Sequence, residues 1–497
     1  MIRLAAMLCS LVLLALVPAA PVAAAVPPPL LIPGDEPTVV TEHEIRTADG
    51  RLRYQARAGR LPIRHDETGE VRGRIYFTAY VVPSADGRPR PLTFLWNGGP
   101  TVASLLLHTE MFGPRRLEGD RFVDNAETLL TVSDLVFYDP VGTGFSRPEQ
   151  AETAAEFYGT LGDFAATAEF IRAYRARFGA EAQPLFIGGE SYGTWRVGGV
   201  AELLAGAGID LEGALLISGG IPGSQMPDAF SDALYVPART AAAFHHGKLV
   251  PELMRDRDAT LRQAVKWVRD VYRPALERLE GLDAQEREAI AQDLARFTGV
   301  RPELIDRSTL VMPNRTYLRT LFEGDETRVL NTFDMRLFGA EPNPPGRARA
   351  IAAYLRGDLG YATDLAYTGL EDGYMPRPGP DRRSTGSRWD YNHVEITPEM
   401  MARAMGGGGP PGSQPWLQRA MRADGDLRVF VAAGRYDSLN MCEGNHDMVA
   451  RLEPELAGRF TNRCYEGGHM MYRDEAERHR LAADVRQFIT AAAEEAR

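Results

Sequence analysis

The apolar run Pro184-Leu185-Phe186-Ile187 leads into Gly189-Glu190-Ser191-Tyr192-Gly193 and then into an apolar-periodic stretch that reaches Leu204. Gly-x-Ser-x-Gly between a strand and a helix describes a turn so sharp that only small residues fit beside the serine. That turn lifts the hydroxyl out at the strand end and aims the next backbone N–H at a developing oxyanion. A serine at its free pKa is a poor nucleophile, so a base and an orienting acid must accompany it. The strand Arg428–Ala432 ends in Gly434-Arg435-Tyr436-Asp437, which puts Asp437 at a strand's carboxyl end, the natural place for the acid. His469 follows Gly467 and Gly468, two glycines that let a loop bend back over the serine. His446 sits in a polar stretch and His479 in a charged C-terminal helix, and both read as solvated. Ser191, Asp437 and His469 are therefore the expected nucleophile, acid and base of acyl transfer, with Asp447 as the rival acid.

An oxyanion hole needs a second donor from an earlier loop. Trp96-Asn97-Gly98-Gly99-Pro100 follows the strand Leu92–Trp96 and can present the Gly99 N–H beside that of Tyr192. Asp139–Ser146, with Gly142 and Gly144, reads as a tight loop lining the pocket without a part in the chemistry. Other chemistries lack their residues. Only Lys248 and Lys266 are lysines among 56 basic residues, and neither lies in a phosphate-cradling G-x-x-x-x-G-K-S/T loop. No H-E-x-x-H occurs, and His245-His246 have no partner at metal-ligand spacing, so neither a metal nor a cofactor is expected.

These residues need a scaffold that places strand ends side by side. Leu92–Trp96, Leu135–Tyr138, Pro184–Ile187, Ala214–Ile217 and Arg428–Val431 are short, nearly continuous apolar runs, each followed closely by Gly, Asp or Asn. Strands buried on both faces of a parallel sheet have that pattern. Glu42–Pro83 is also β-like, and Leu161–Phe178 carries Phe164, Ala168, Ile171 and Tyr174 at helical spacing. The alternation predicts an α/β sheet. It stops near Ile221 and resumes near Leu427, and Val250–Leu279 and Ala284–Phe297 in between are rich in charge, Leu and Ala. A helical insert, residues 223–425, is thus expected to split one sheet domain into 26–222 and 426–497.

The 497 residues are 44% hydrophobic and 25% charged, ordinary values for a globular chain. A formal charge of -11 with no basic face disfavours nucleic-acid binding. Met1–Ala25 reads as an export signal: Arg3, the apolar Leu4–Val17, and the small residues Ala23-Ala24-Ala25 before the cleavage point. Cleavage near Ala25 would leave a periplasmic or secreted protein without a membrane segment. It would also remove Cys9, leaving Cys442 and Cys464 as a pair expected to form a disulfide in an oxidising compartment. That bridge would join the segments carrying Asp437 and His469.

The chain resembles the serine carboxypeptidases (peptidase family S10), within the α/β-hydrolases. The resemblance is carried in order by WNGGP at Trp96–Pro100, FGPRR at Phe112–Arg116, DPVGTGFS at Asp139–Ser146, GESYG at Gly189–Gly193, GRYD ending at Asp437, and GGHM at Gly467–Met470. It implies an α/β-hydrolase fold with helices on both faces of a mostly parallel sheet, the insert falling where the family carries its cap. It implies the same triad and oxyanion hole, and a peptide substrate with a free C-terminal carboxylate held by Asn97 and Glu190. In the family a second glutamate shares a proton with the one before the serine, and a protonated acid can donate to a carboxylate. Here that position is Met111, and Thr101 replaces a glycine usual after N-G-G-P. Glu110, one place off, would substitute if the loop shifts; His108 and Arg115 are the alternatives. An esterase or acyltransferase on the same triad, and a non-catalytic binding protein on a hydrolase scaffold, are the competing expectations.

Overall fold

Strands β1 (Val39–Thr47), β2 (Gly50–Arg64) and β3 (Val71–Val81) pair antiparallel in succession, as the β-branched and aromatic content of 42–83 predicts. In this computed structural model, which describes residues 32, 35–84, 87–221, 233–340, 346–368, 389–391 and 415–495, they form one end of a large mixed sheet. The rest of its path is β4 (Leu92–Trp96), β7 (Asp134–Tyr138), β9 (Leu185–Glu190), β10 (Gly213–Ile217), β11 (Arg428–Gly434) and β12 (Phe460–Tyr465). The order is β1-β2-β3-β7-β4-β9-β10-β11-β12, parallel from β7 to β12, with the short β8 (Arg147–Pro148) beside β3. A separate hairpin of β5 (Arg115–Glu118) and β6 (Arg121–Asp124) lies off it.

Every residue of β4, β7, β9 and β10 is buried, because both faces are covered. Phe94, Trp96, Ile187 and Leu216 face α1 (Thr160–Phe178), α2 (Gly193–Gly206) and the helix Trp416–Ala423. Leu95, Phe186, Leu215 and Ile217 point the other way, onto Leu481, Val485 and Ile489 of the C-terminal helix Glu475–Glu495. Period-two alternation thus serves two cores at once, each large side chain contributing about 1.5–3 kcal/mol by its burial.

Residues 233–335 build a third core, on helices Val236–His245, Arg257–Trp267, Ala284–Thr298 and Asn314–Thr320. The helix expected from Val250 begins instead at Arg257, because the Asp256 side chain accepts the Ala259 N–H (3.0 Å) and fixes the start there. Not all of 223–425 joins this core. Ile351, Tyr354 and Leu355 pack against one sheet face and Trp416, Leu417 and Met421 against the other. The expected signal, residues 1–25, lies outside the described residues.

Chain order sets where a site can form. After β4 the chain crosses to β7, and it returns on the opposite side of β4 to form β9. Between β4 and β9 the winding reverses, and in sheets of this kind ligands bind beyond the carboxyl ends of the strands at such a reversal. Trp96 lies opposite Gly189 in that register, so Asn97 and Glu190 leave the sheet side by side.

Candidate active site

Ser191 follows β9 directly and has φ 60°, a left-handed conformation rare for a residue with a side chain. Its N–H donates to the Ile217 carbonyl (2.9 Å), and its own carbonyl accepts the Thr194 N–H (3.0 Å) as α2 begins. Trp96, fully buried, donates its indole N–H to the Gly193 carbonyl (2.9 Å), tying the end of β4 to the first turn of α2. The strain at Ser191 is thus held by neighbours on both sides, as expected of a residue kept exposed for chemistry.

The Asn97–Pro100 loop presses on this turn. A Cβ on Gly98 would lie 2.5 Å from the Glu190 carbonyl and 2.6 Å from the Tyr192 nitrogen, so glycine alone permits the approach. Gly99 and Tyr192 are thereby brought to the same end of the sheet. Arg196, on the first turn of α2 and fully buried, fixes the loop: its Nη1 donates to the Asn97 carbonyl (2.8 Å) and its Nη2 to that of Pro100 (3.2 Å). Its Nε meets Asp163 of α1 at 2.7 Å. Asp139 holds the chain just beyond that loop, accepting the Ser104 N–H (2.9 Å) and the Tyr367 hydroxyl (3.3 Å); burial pushes its carboxyl up to about 6.

At the far side of the turn, His469 Nδ1 lies 2.7 Å from Asp437 Oδ2. Asp437 is fully buried, and its Oδ1 accepts the Leu439 N–H (2.8 Å). Burial opposes the imidazolium, but the charge and hydrogen bond of Asp437, with Glu190, outweigh it, so the His469 pKa is raised. The backbone of His469 is held twice. Its N–H donates to the Phe333 carbonyl at the edge of the third core (2.6 Å), and its carbonyl accepts the Ser218 hydroxyl. Gly467 and Gly468 precede it without a positive φ. Their smallness serves close approach instead, since a Cβ on Gly468 would lie 2.3 Å from the Phe333 oxygen. Asp447, the rival acid, pairs with Arg273 (2.8 Å) and Arg451 (2.7 Å). Cys442 and Cys464 are disulfide-bonded with Cα atoms 5.6 Å apart, linking the start of helix Cys442–Ala450 to β12.

Glu190 is buried, and both its oxygens have donors: Asn97 Nδ2 on Oε2 and the Tyr472 hydroxyl (2.7 Å) on Oε1. Burial raises its pKa against the opposing influence of His469, Tyr472, Arg473 and Asn97. Asn97 Oδ1 accepts the N–H groups of Leu106 (2.9 Å) and Leu107 (3.3 Å), which fixes the orientation of its amide. Of the alternatives for the missing second carboxylate, His108 is a core residue. It stacks on Phe137, its Nε2 lies 2.7 Å from the Tyr80 hydroxyl, and burial pushes its pKa down to about 3. Arg115 is committed to the Phe122 carbonyl (3.1 Å) and Asp124 (3.5 Å) in the hairpin. Glu110 lies on the π-helical turn Leu107–Phe112, paired with Arg347 and with Arg473 (2.9 Å), and the buried Met111 fills the position of the absent glutamate. Beside Asn97, the second donor to Glu190 is therefore a tyrosine hydroxyl.

Sequence reasoning did not find Tyr472, Ser218, Phe333 or Arg196. Only Arg196 left a signal: a lone charge inside the apolar stretch TWRVGGVA, on a helix face that must be buried. Among the described residues no group of three or more His, Cys, Asp or Glu side chains could hold a metal ion.

A mostly parallel sheet with helices on both faces, an elbow serine after one strand, and an Asp–His pair from later loops make this an α/β-hydrolase fold. Residues 65–219 match the family model described as serine carboxypeptidase. Among solved structures, the chain is similar to Kex1(delta)p, a prohormone-processing carboxypeptidase from Saccharomyces cerevisiae. The TM-score is 0.53 at 15% identity, over 89% of this chain and 92% of that one. The proline iminopeptidase of Mycobacterium smegmatis aligns with a TM-score of 0.36 at 12% identity, over 88% of this chain and 100% of that one, too slight a likeness to carry an argument. No curated protein matches the chain in sequence.

Proposed function

We propose that the protein is an exported serine carboxypeptidase that removes C-terminal residues from peptides through an acyl-enzyme on Ser191. The observation that carries this reading is the buried Asp437–His469 pair at the sheet end where Ser191 stands in its left-handed turn. His469 takes the Ser191 proton as the hydroxyl attacks the scissile carbonyl, and the N–H groups of Gly99 and Tyr192 receive the oxyanion. The imidazolium then protonates the leaving amine, and water, deprotonated by the same base, releases the shortened peptide. Asn97 and Glu190 lie beside the elbow, where the substrate's C-terminal carboxylate would have to end. The match of residues 65–219 to the serine carboxypeptidase family supports the substrate class. Export is supported by residues 1–25 and by a disulfide suited to an oxidising compartment.

The absence of the second glutamate, with Met111 in its place, favours an esterase or acyltransferase as the second reading. A fluorophosphonate probe should label the wild-type protein and not Ser191→Ala; equal labelling of the two would remove the serine mechanism. A blocked peptide acid should then be cleaved in preference to its C-terminal amide, and equal turnover would favour the second reading. N-terminal sequencing of the protein recovered from outside the cytoplasm should begin near residue 26.

A further inference from the structure

We infer that the segment Asn331–Arg336 is a bracket that sets the spacing between the Asp437 and His469 loops, with Asn331 and Arg336 as its positioning residues. The third core thereby holds the acid and the base in register with each other. This deepens the serine-hydrolase reading and rests on it.

The bracket touches each loop at two backbone points. On the acid side, the Met335 N–H donates to the Tyr436 carbonyl (2.9 Å), and the Thr332 carbonyl accepts the Ser438 hydroxyl (2.7 Å). Those contacts fall on the residues immediately before and after Asp437. On the base side, the Phe333 carbonyl accepts the His469 N–H (2.6 Å), and Arg336 Nη1 donates to the Glu466 carbonyl (3.1 Å). Phe333 also sets its ring against the His469 imidazole, with centroids 5.3 Å apart. The two loops meet directly where the Tyr436 N–H donates to the Gly467 carbonyl (2.9 Å). That bond alone is a hinge, and contacts on both sides of Asp437 and on His469 itself remove the freedom to turn about it. Catalytic groups work only when held to within about 0.5 Å by neighbours that are themselves locked.

The segment is locked in turn. Asn331 is buried; its Oδ1 accepts the N–H groups of Phe333 (2.7 Å) and Asp334 (3.0 Å), and its Nδ2 donates to the Gly339 carbonyl (3.0 Å). A side chain used in this way fixes the path of a turn. Arg336 forks onto Asp334, Nε to Oδ1 (3.0 Å) and Nη2 to Oδ2 (2.7 Å), and lies over the Tyr436 ring, 4.9 Å from its centroid. One guanidinium is thus held by its own segment, covers the acid loop and donates to the base loop. Leu330 and Met335, both buried in the third core, anchor the segment, and His246 Nε2 lies 2.8 Å from the Met335 carbonyl. Asn314, at the start of the helix Asn314–Thr320, donates to the Ser438 carbonyl (2.8 Å) from the same side.

The chemistry is sensitive to this spacing. The 2.7 Å contact with Asp437 orients the imidazole and raises its pKa; Glu190 at the end of β9 adds to the rise, while burial and Arg473 of the base loop oppose it. A loosened bracket weakens that contact, so the base loses both aim and basicity. Asn97, held by the N–H groups of Leu106 and Leu107, keeps its place. The loss should therefore fall on kcat, about 10²-fold for a misplacement of about 1 Å.

The test compares the wild type with Arg336→Met, Arg336→Lys and Asn331→Ala, and with Leu294→Ala, which opens the third core away from the bracket. The rate of Ser191 labelling by a fluorophosphonate probe is measured, with kcat, KM and the pH profile of kcat/KM for a blocked peptide acid. Arg336→Met and Asn331→Ala should each lower the labelling rate and kcat about 10- to 100-fold with KM little changed. Both should also move the acid limb of kcat/KM to lower pH, because the His469 pKa falls as its contact with Asp437 weakens. Arg336→Lys should recover part of the rate, and Leu294→Ala should lose stability while keeping the labelling rate and the limb. The Arg336 side chain is 25% exposed, so its two variants decide the matter if Asn331→Ala does not fold. Arg336→Met with the wild-type rate and limb, or Leu294→Ala with the same losses, would overturn the bracket while leaving the serine hydrolase intact. A wild type that the probe does not label would overturn the bracket together with the reading it rests on.

Discussion

Replacing Arg196 with methionine removes three donors at once: those to Asp163 (2.7 Å), Asn97 (2.8 Å) and Pro100 (3.2 Å). Two different losses follow. The first is of stability, because Asp163 is left buried without its cation, and breaking such a pair costs about 3–5 kcal/mol. An unfolding entropy of about 2.1 cal/mol/K per residue makes 1 kcal/mol roughly 1 °C for 497 residues, so Tm should fall by about 3–5 °C. Burial already raises the Asp163 pKa, and only Arg196 opposes it. Without Arg196 the folded-state pKa climbs further above the unfolded value, the folded state binds the extra proton, and the deficit should grow as pH rises. The second loss is catalytic. The carbonyls that Arg196 holds flank Gly98 and Gly99, and a loop free to shift withdraws one oxyanion donor, worth about 10²–10³ in kcat. The double variant Arg196→Met/Asp163→Leu separates the two, since an apolar pair of similar volume restores stability but cannot hold the loop. Calorimetry and steady-state kinetics should find Tm largely recovered, kcat still at least tenfold low, and KM little changed. If kcat recovers with Tm, Arg196 only neutralises a buried charge and the loop argument is wrong.

Three further outcomes are expected. Asp437→Asn should lower kcat by about 10⁴ and move the acid limb of the kcat/KM profile to lower pH. The sign follows from Asp437 raising the His469 pKa: the base must be neutral to act, so activity in the wild type rises with pH through a value above 6.5. An unmoved limb would show that another group sets it. Gly468→Ala should lower kcat at least tenfold by forcing the base loop from the Phe333 carbonyl, and unchanged kinetics would mean that the contact does not position His469. Cys442→Ala/Cys464→Ala, which opens a bridge of sequence separation 22, should lose about 3 kcal/mol in denaturant unfolding; a loss under about 1 kcal/mol would show strain or residual structure offsetting the bridge.

The strands and the serine elbow follow from local rules, and so does the expectation of a triad. A strand buried on both faces must be apolar throughout, as Leu92–Trp96 and Ala214–Ile217 are. A serine in a strained turn needs small neighbours, and a loop seated on that turn needs Gly98. The surroundings of Glu190 had no such rule to betray them. Asn97 and Tyr472, which donate to its two oxygens, come from segments far apart in the chain, and only folding brings them together. The same holds for the support of His469, where the Phe333 carbonyl and the Ser218 hydroxyl arrive from the third core and from the end of β10. Even the glycines before His469 were legible in place and not in purpose. Their φ values are ordinary, and what excludes a side chain there is the backbone of another element. Local sequence specifies conformation and burial; which polar groups end up facing one another is decided by the packing of whole elements.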